Sequence, residues 1–333
     1  MSFTRGYRSY RGRPPRWKIA LGVLLVLVIL AAFGVIWTQR YVVFDESGHA
    51  HLELPWQQEK PKGPQEEPPL DLTIESSKPK TVRGLLLPGN QMPVELPVTE
   101  PELNALFLTG KDPAGAVLFP SHTAGTTEGF TKETLQTLEE RCPQTAVRLT
   151  VCLDPAAGKS DLMGKALVRK DTGRMFYDAQ NQNWLDLGKP AARTYLCSLA
   201  KELAEMGVDE ILLSEVGYPG SGKLHRIAYD EAEKAAQVRL FLTELKETLK
   251  PYEVKLSLEL PAEVLISGKD SARGLLLGDA AELADRIYAV ASPEQAEAFT
   301  AAVQAVREET EFVPILTDAD QAQGLENFLI LPG

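Results

Sequence analysis

Between Val82 and Leu331 the chain carries eight apolar runs of strand length: Val82–Leu87, Ala116–Phe119, Val147–Leu153, Ile211–Ser214, Val254–Leu260, Arg286–Val290, Phe312–Thr317 and Phe328–Leu331. Stretches with helical spacing lie between them, most clearly Lys189–Met206, Arg226–Leu249 and Pro293–Glu309. Pro190 falls where a helix has no N–H to satisfy, and Gly207 stands where a helix C-terminus favours glycine. Strands that alternate with helices build a parallel sheet, and eight is the number that closes it into a (β/α)8 TIM-like barrel. Residues 82–333 number 252, close to the ~250 typical of that α/β fold. The sequence stops at Gly333, directly after the eighth run, so the last helix is expected to be missing. An open doubly wound sheet is the alternative, but no G-x-G-x-x-G follows any strand.

Ahead of the barrel the composition changes sharply. Residues 1–40 hold seven Lys+Arg and no acid, whereas the remainder holds 28 Lys+Arg against 46 Asp+Glu. Ile19–Trp37 is nineteen residues without a charge; as a helix at ~1.5 Å per residue it approaches the roughly 30 Å hydrocarbon core. Trp17 and Trp37 bracket it, and Arg5, Arg8, Arg11, Arg13, Arg16 and Lys18 precede it. The expectation is a basic cytoplasmic tail (1–18), one transmembrane helix (19–37) and everything after it outside the plasma membrane. A cleaved signal peptide would have a shorter apolar run and a small-x-small site, neither of which is present. Residues 41–55 read as a small β-hairpin. Residues 56–81, with Pro61, Pro64, Pro68, Pro69 and Pro79 among charged and amide side chains, read as an extended stalk.

The net charge of −11 argues against nucleic acid as the partner. Cys142, Cys152 and Cys197 match no zinc or redox spacing, and His49 and His51 lack ligand partners, so no metal or cofactor is expected. The run Gly217–Lys223 lacks the G-x-x-x-x-G-K-[ST] pattern, since Leu224 follows Lys223, which excludes nucleotide binding by a P-loop.

Alternation shows which side chains enter the barrel. In Lys255–Leu260 the leucines 256, 258 and 260 must face the helix layer, which turns Ser257 and Glu259 inward. By the same rule Arg148, Thr150, Cys152 and Asp154 point inward from the third strand, and Leu212 and Ser214 from the fourth. Glu215 follows Ser214 and, by period two, points away. Asp154, Glu259 and Asp318 all fall at strand C-terminal ends, the face where barrel enzymes hold their chemistry. A carboxylate cluster there suits glycosidic cleavage, in which one acid donates a proton and another stays ionised. The bland alternative pairs Arg148 with Asp154 and leaves Glu259 solvated.

Four segments, VRLTVCLD (147–154), ALVRKDTG (166–173), WLDLGKPAAR (184–193) and LAKELAEMGVDEILLSEVGYP (199–219), resemble a family known as the putative glycoside hydrolase domain, whose barrel is similar to those of the alpha-amylase-like glycosidases. YVVFDESGHAHLELP (41–55) is similar to the segment before this domain in some anchored relatives. The resemblance implies an Asp on strand four as nucleophile and a strand-five carboxylate, here Glu259, as acid. This sequence departs from it: Ser214 stands at the Asp position, Gly217 at that of an Arg, and Pro120 where relatives carry a strand-two Asp. Glu215, Glu259 and Asp318 are therefore the candidate catalytic acids. Arg148, Asp154, Ser214 and His122, with Trp184 and Tyr218 as stacking platforms, are the candidate binding residues. The expectation is a membrane-tethered barrel that binds envelope or extracellular polysaccharide with impaired or absent hydrolysis; the alternative is an active glycosidase with a rearranged carboxylate pair.

Overall fold

The computed structural model describes residues 17, 42–44, 50–52, 81–87, 90–91, 103–229 and 233–331. Two compact units divide the chain, residues 1–73 and 74–333. In the first, Val42–Phe44 pairs antiparallel with Ala50–Leu52, Val43 lying opposite His51. The expected membrane span, the stalk (apart from Thr81) and the basic tail (apart from Trp17) lie outside the described residues. No described helix is long and apolar enough to cross a membrane.

In the second unit eight parallel strands close into a barrel: β1 (Arg83–Leu86), β2 (Ala105–Lys111), β3 (Gln144–Thr150), β4 (Glu210–Ser214), β5 (Lys255–Glu259), β6 (Arg286–Val290), β7 (Glu311–Leu316) and β8 (Phe328–Ile330). The closing contact pairs Phe328 with Arg83. Helices α1 (Lys132–Glu139), α2 (Pro155–Ser160), α3 (Pro190–Met206), α4 (Lys234–Leu249), α5 (Ala262–Ser267), α6 (Leu277–Leu283) and α7 (Pro293–Val306) alternate with the strands. Thr131 caps α1, accepting from Thr134 N, and Gly207 ends α3 in the left-handed conformation. The strand side chains that face outward, among them Leu149, Leu213, Leu256 and Leu258, belong to one core with the helices. Ala105, Phe107, Ala146, Leu212, Tyr288 and Val313 form a separate core inside the barrel.

One strand is not where the sequence suggests. Strand two is Ala105–Lys111 rather than Ala116–Phe119. The latter is part of the return loop and touches β2 only through an antiparallel bridge from Val117 to Lys111. The true strand ends in Thr-Gly-Lys, which reads as surface. Lys111 is nonetheless fully buried, because Asp154 lies 2.7 Å from its ammonium.

A polar layer crosses the barrel interior near the strand N-termini. Glu210 accepts from Arg286 Nη1 at 2.5 Å, Tyr288 OH at 2.7 Å and Ser257 Oγ at 2.6 Å. Arg286 Nε also donates to Glu311 at 2.6 Å. Burial and the charge on Glu210 push the Tyr288 phenol well above its ordinary range, so it remains a donor. A buried charge stripped of its partner is strongly destabilising. Arg286→Met should therefore cost about 3–5 kcal/mol in urea unfolding of the barrel, by leaving Glu210 ionised without its cation. A loss below about 1 kcal/mol would show that the layer carries no such weight.

Candidate active site

The inward residues of β3, β4 and β5 rise from that layer to the C-terminal mouth. Arg148 on β3 lies across from Leu212 on β4, and Thr150 across from Ser214. Arg148 Nε donates to Glu259 Oε2 at 2.8 Å, each side chain about 20% exposed. This replaces the expected alternative: Arg148 pairs with Glu259, not with Asp154. Ser214 is buried, and its hydroxyl contacts the Thr150 hydroxyl at 3.4 Å. With no base beside it, it is not an activated nucleophile.

The decisive local feature is the residue after β4. Glu215 has φ +51°, a left-handed conformation that costs a non-glycine residue roughly 1–2 kcal/mol. Ladder bonds hold it there, from Val151 N to Ser214 O at 2.8 Å and from Cys152 N to Glu215 O at 3.0 Å. Period two therefore fails at the rim, and Glu215 lines a cleft of about 180 Å³ together with Glu259, Arg273, Leu260 and Val290.

Arg273 comes from the hairpin formed by Lys269–Asp270 and Leu275–Leu276. Gly217, at φ +104°, lets this hairpin approach: a Cβ there would stand 2.4 Å from Arg273 O. That carbonyl accepts from Tyr218 N at 3.0 Å. The guanidinium, held by Asp270 at 3.0 Å, lies against Gly220, and its charge acts on Glu215. Glu215 is exposed at the rim, yet desolvation by the surrounding residues raises its carboxyl above its ordinary range. Arg273 and Arg148 oppose the rise, while the charges of Glu259 and Asp178 add to it.

The remaining expected site residues lie elsewhere. Asp154 is fully buried against Lys111 and caps α2 by accepting from Ala157 N at 2.8 Å. Burial draws the Lys111 ammonium below its ordinary range, against the pull of Asp154. Asp318 is exposed and caps the 3-10 turn Ala319–Ala322, accepting from Asp320 N at 3.0 Å. His122 is exposed in a loop fastened to α3, where Ser121 and Thr123 donate to Glu202.

The two expected stacking platforms are buried, so neither presents an open ring face. Trp184 Nε1 donates to Asp178 at 2.9 Å. Tyr218 OH donates to Asp186 at 3.3 Å, a carboxyl that burial raises above its ordinary range. Among the described residues no three His, Cys, Asp or Glu side chains converge as metal ligands.

Two residues that sequence reasoning missed are Lys111 and Arg273. A polar strand tail hid the first. No local pattern marks the second, because only the folded hairpin brings it to the mouth.

A family model described as "Putative glycosyl hydrolase domain" matches residues 94–299, more than half of the chain. The chain belongs to this glycosyl hydrolase domain family. No curated protein matches it. Among solved structures, the PgaB (BpsB) glycoside hydrolase domain from Bordetella bronchiseptica is 14% identical, covers 76% of this chain and 93% of its own, and superposes with a TM-score of 0.53, a likeness of fold. A hypothetical protein from Ruminiclostridium thermocellum is 25% identical over 47% of this chain and 83% of its own, at a TM-score of 0.42.

Within this glycosyl hydrolase family member, the mouth holds its carboxylates at positions 215 and 259 rather than at 214. Because Arg273 lowers the Glu215 carboxyl, Arg273→Ala should raise its midpoint further in a ¹³C carboxyl NMR titration. An unchanged or lower midpoint would mean that the two charges do not face each other.

Proposed function

We propose that the barrel cleaves glycosidic bonds at its C-terminal mouth with Glu215 and Glu259 as the acid pair. The observation that carries this reading is the left-handed turn at Glu215, a strained position whose effect is to bring a second carboxyl into the cleft of Glu259. Glu215, its carboxyl raised by desolvation, donates its proton to the leaving glycosidic oxygen as the bond to the anomeric carbon breaks. Glu259, oriented by Arg148, supports the positive charge that develops on the sugar ring until water attacks the anomeric carbon and its released proton returns to Glu215.

Glycan binding without turnover is the second reading. Ser214, packed on Thr150 at the place where the family resemblance implies an Asp, favours it. Glu215→Gln and Glu259→Gln separate the two. If the barrel is a hydrolase, each should lower turnover of oligosaccharide by ~10²-fold or more with affinity nearly intact. A wild type that binds oligosaccharide and releases no reducing ends would establish the second reading.

We also propose that Ile19–Trp37 anchors the protein in the plasma membrane with the barrel outside. The support is the uncharged nineteen-residue run and the six basic residues before it. Protease added to intact cells should release a soluble barrel fragment by cutting within residues 56–81. Full protection in intact cells, with cleavage once they are lysed, would reverse the topology.

A further inference from the structure

Beside the mouth a long trough runs over the loops that follow β3 and β4. Its first part, about 630 Å³, is lined by Pro113, Pro155, Lys159, Tyr177, Asn181 and Gln182. Its second part, about 320 Å³, shares Tyr177 and adds Asp178, Lys223 and Arg226. Tyr177 is 48% exposed, while its neighbour Phe176 is buried and anchored through Leu167 O at 2.9 Å.

Both walls are fixed. Lys170 N donates to Arg226 O and Ala228 N to Val168 O, each at 2.8 Å, so the two loops are laced together. Ser221 Oγ donates to Gln180 at 3.0 Å. Gly222, at φ +99°, lies against the Asp178–Ala179 backbone. An exposed aromatic on a rigid wall with amides around it suits a pyranose ring, which has an apolar face and a hydroxylated edge.

The charge in the trough identifies the kind of sugar. Asp178 is occupied internally, accepting from Gln180 N, Gln182 N and Trp184 Nε1. Arg169 is held by Asp171 at 2.6 Å. Lys223 and Arg226 form no salt bridge among the described residues. Segments 159–188 and 219–228 together hold seven Lys+Arg against four acids, in a chain of net charge −11. The charge of Asp178, which lines the trough, also acts on Glu215 in the mouth.

We propose that this trough is a distal subsite for an anionic glycan, its carboxylate or phosphate groups held by Lys223 and Arg226 and a sugar ring packed on Tyr177. The proposal rests on the reading of the mouth as a glycan site and specifies which glycan reaches it. A guanidinium and an ammonium side by side match either anion.

The test is calorimetric titration of the full chain in detergent with three probes. These are an oligogalacturonate hexamer, a ribitol-phosphate polymer bearing N-acetylglucosamine, and neutral chitohexaose. At least one anionic probe should bind tenfold or more tighter than chitohexaose, and the advantage should shrink as salt is raised. Which one binds separates the carboxylate source from the phosphate source.

The double variant Lys223→Glu, Arg226→Glu should abolish the anionic preference while leaving chitohexaose affinity unchanged. Tyr177→Ala should weaken all probes that bind. Equal affinity for neutral and anionic probes, no binding of either anion, or an anionic preference that survives the double variant would overturn the proposal. Cleavage of chitohexaose together with any of these results would leave the mouth's hydrolytic reading standing while the subsite falls. Anion-selective binding that depends on Lys223 and Arg226, without turnover of any probe, would leave the subsite standing while that reading falls.

Discussion

Glu210 receives three hydrogen bonds from two neighbouring strands, through Ser257 of β5 and through Arg286 and Tyr288 of β6, while Arg286 extends the set to Glu311 on β7. With Glu210, Ser257, Arg286 and Tyr288 all buried, these bonds fix the inward positions of four consecutive strands relative to one another. Tyr288 sits in register with Glu259 and packs edge-on against Phe107 with centroids 6.1 Å apart. The floor of the mouth is thus set from below, and Arg148 and Glu259 occupy the layer above a base that cannot shift register without unpairing buried charge.

Geometry above that floor comes from the rim instead. Glu215 and Gly217 both have positive φ, so the chain leaving β4 winds back over the mouth. One consequence is a carboxyl that alternation alone would have sent outward. Another is the space that admits Arg273. The charges are interdependent as well. Glu259 raises the Glu215 carboxyl, Arg273 and Arg148 restrain that rise, and Arg148 is itself committed to Glu259. The two carboxyls have different surroundings, Glu215 at the exposed rim and Glu259 paired with Arg148, a difference the proposed acid-assisted cleavage would use.

Regular parts of the molecule were legible from residues alone. Strict alternation in Lys255–Glu259 placed Ser257 and Glu259 inside, and the Pro190 and Gly207 signals bracketed α3, because both depend on local stereochemistry. The misplacement of strand two has a non-local cause. Lys111 is held inside by Asp154, 43 residues away, and by Val151 O, and nothing near Lys111 announces either partner. Asp154 was in turn a candidate for chemistry until this pairing and its capping of α2 accounted for both of its oxygens. Trp184 and Tyr218, expected as stacking platforms, are buried, because aromatic type does not reveal burial. The exposed ring beside the mouth is Tyr177.

The departures from the family pattern are better understood as one coupled change than as separate losses. A side chain at position 217 would collide with Arg273 O, so the glycine that stands in place of an arginine is what lets another arginine reach the mouth from the hairpin. Ser214, where the family resemblance implies an acid, contacts the Thr150 hydroxyl, and in the proposed reading the acidic role passes to the next residue. That shift is useful only if the backbone turns over, as it does at Glu215. The ladder bonds from Val151 N and Cys152 N hold Glu215 in this left-handed conformation, against a cost of roughly 1–2 kcal/mol. In the proposed reading, that turn and the arginine admitted by Gly217 together give a mouth built around Glu215.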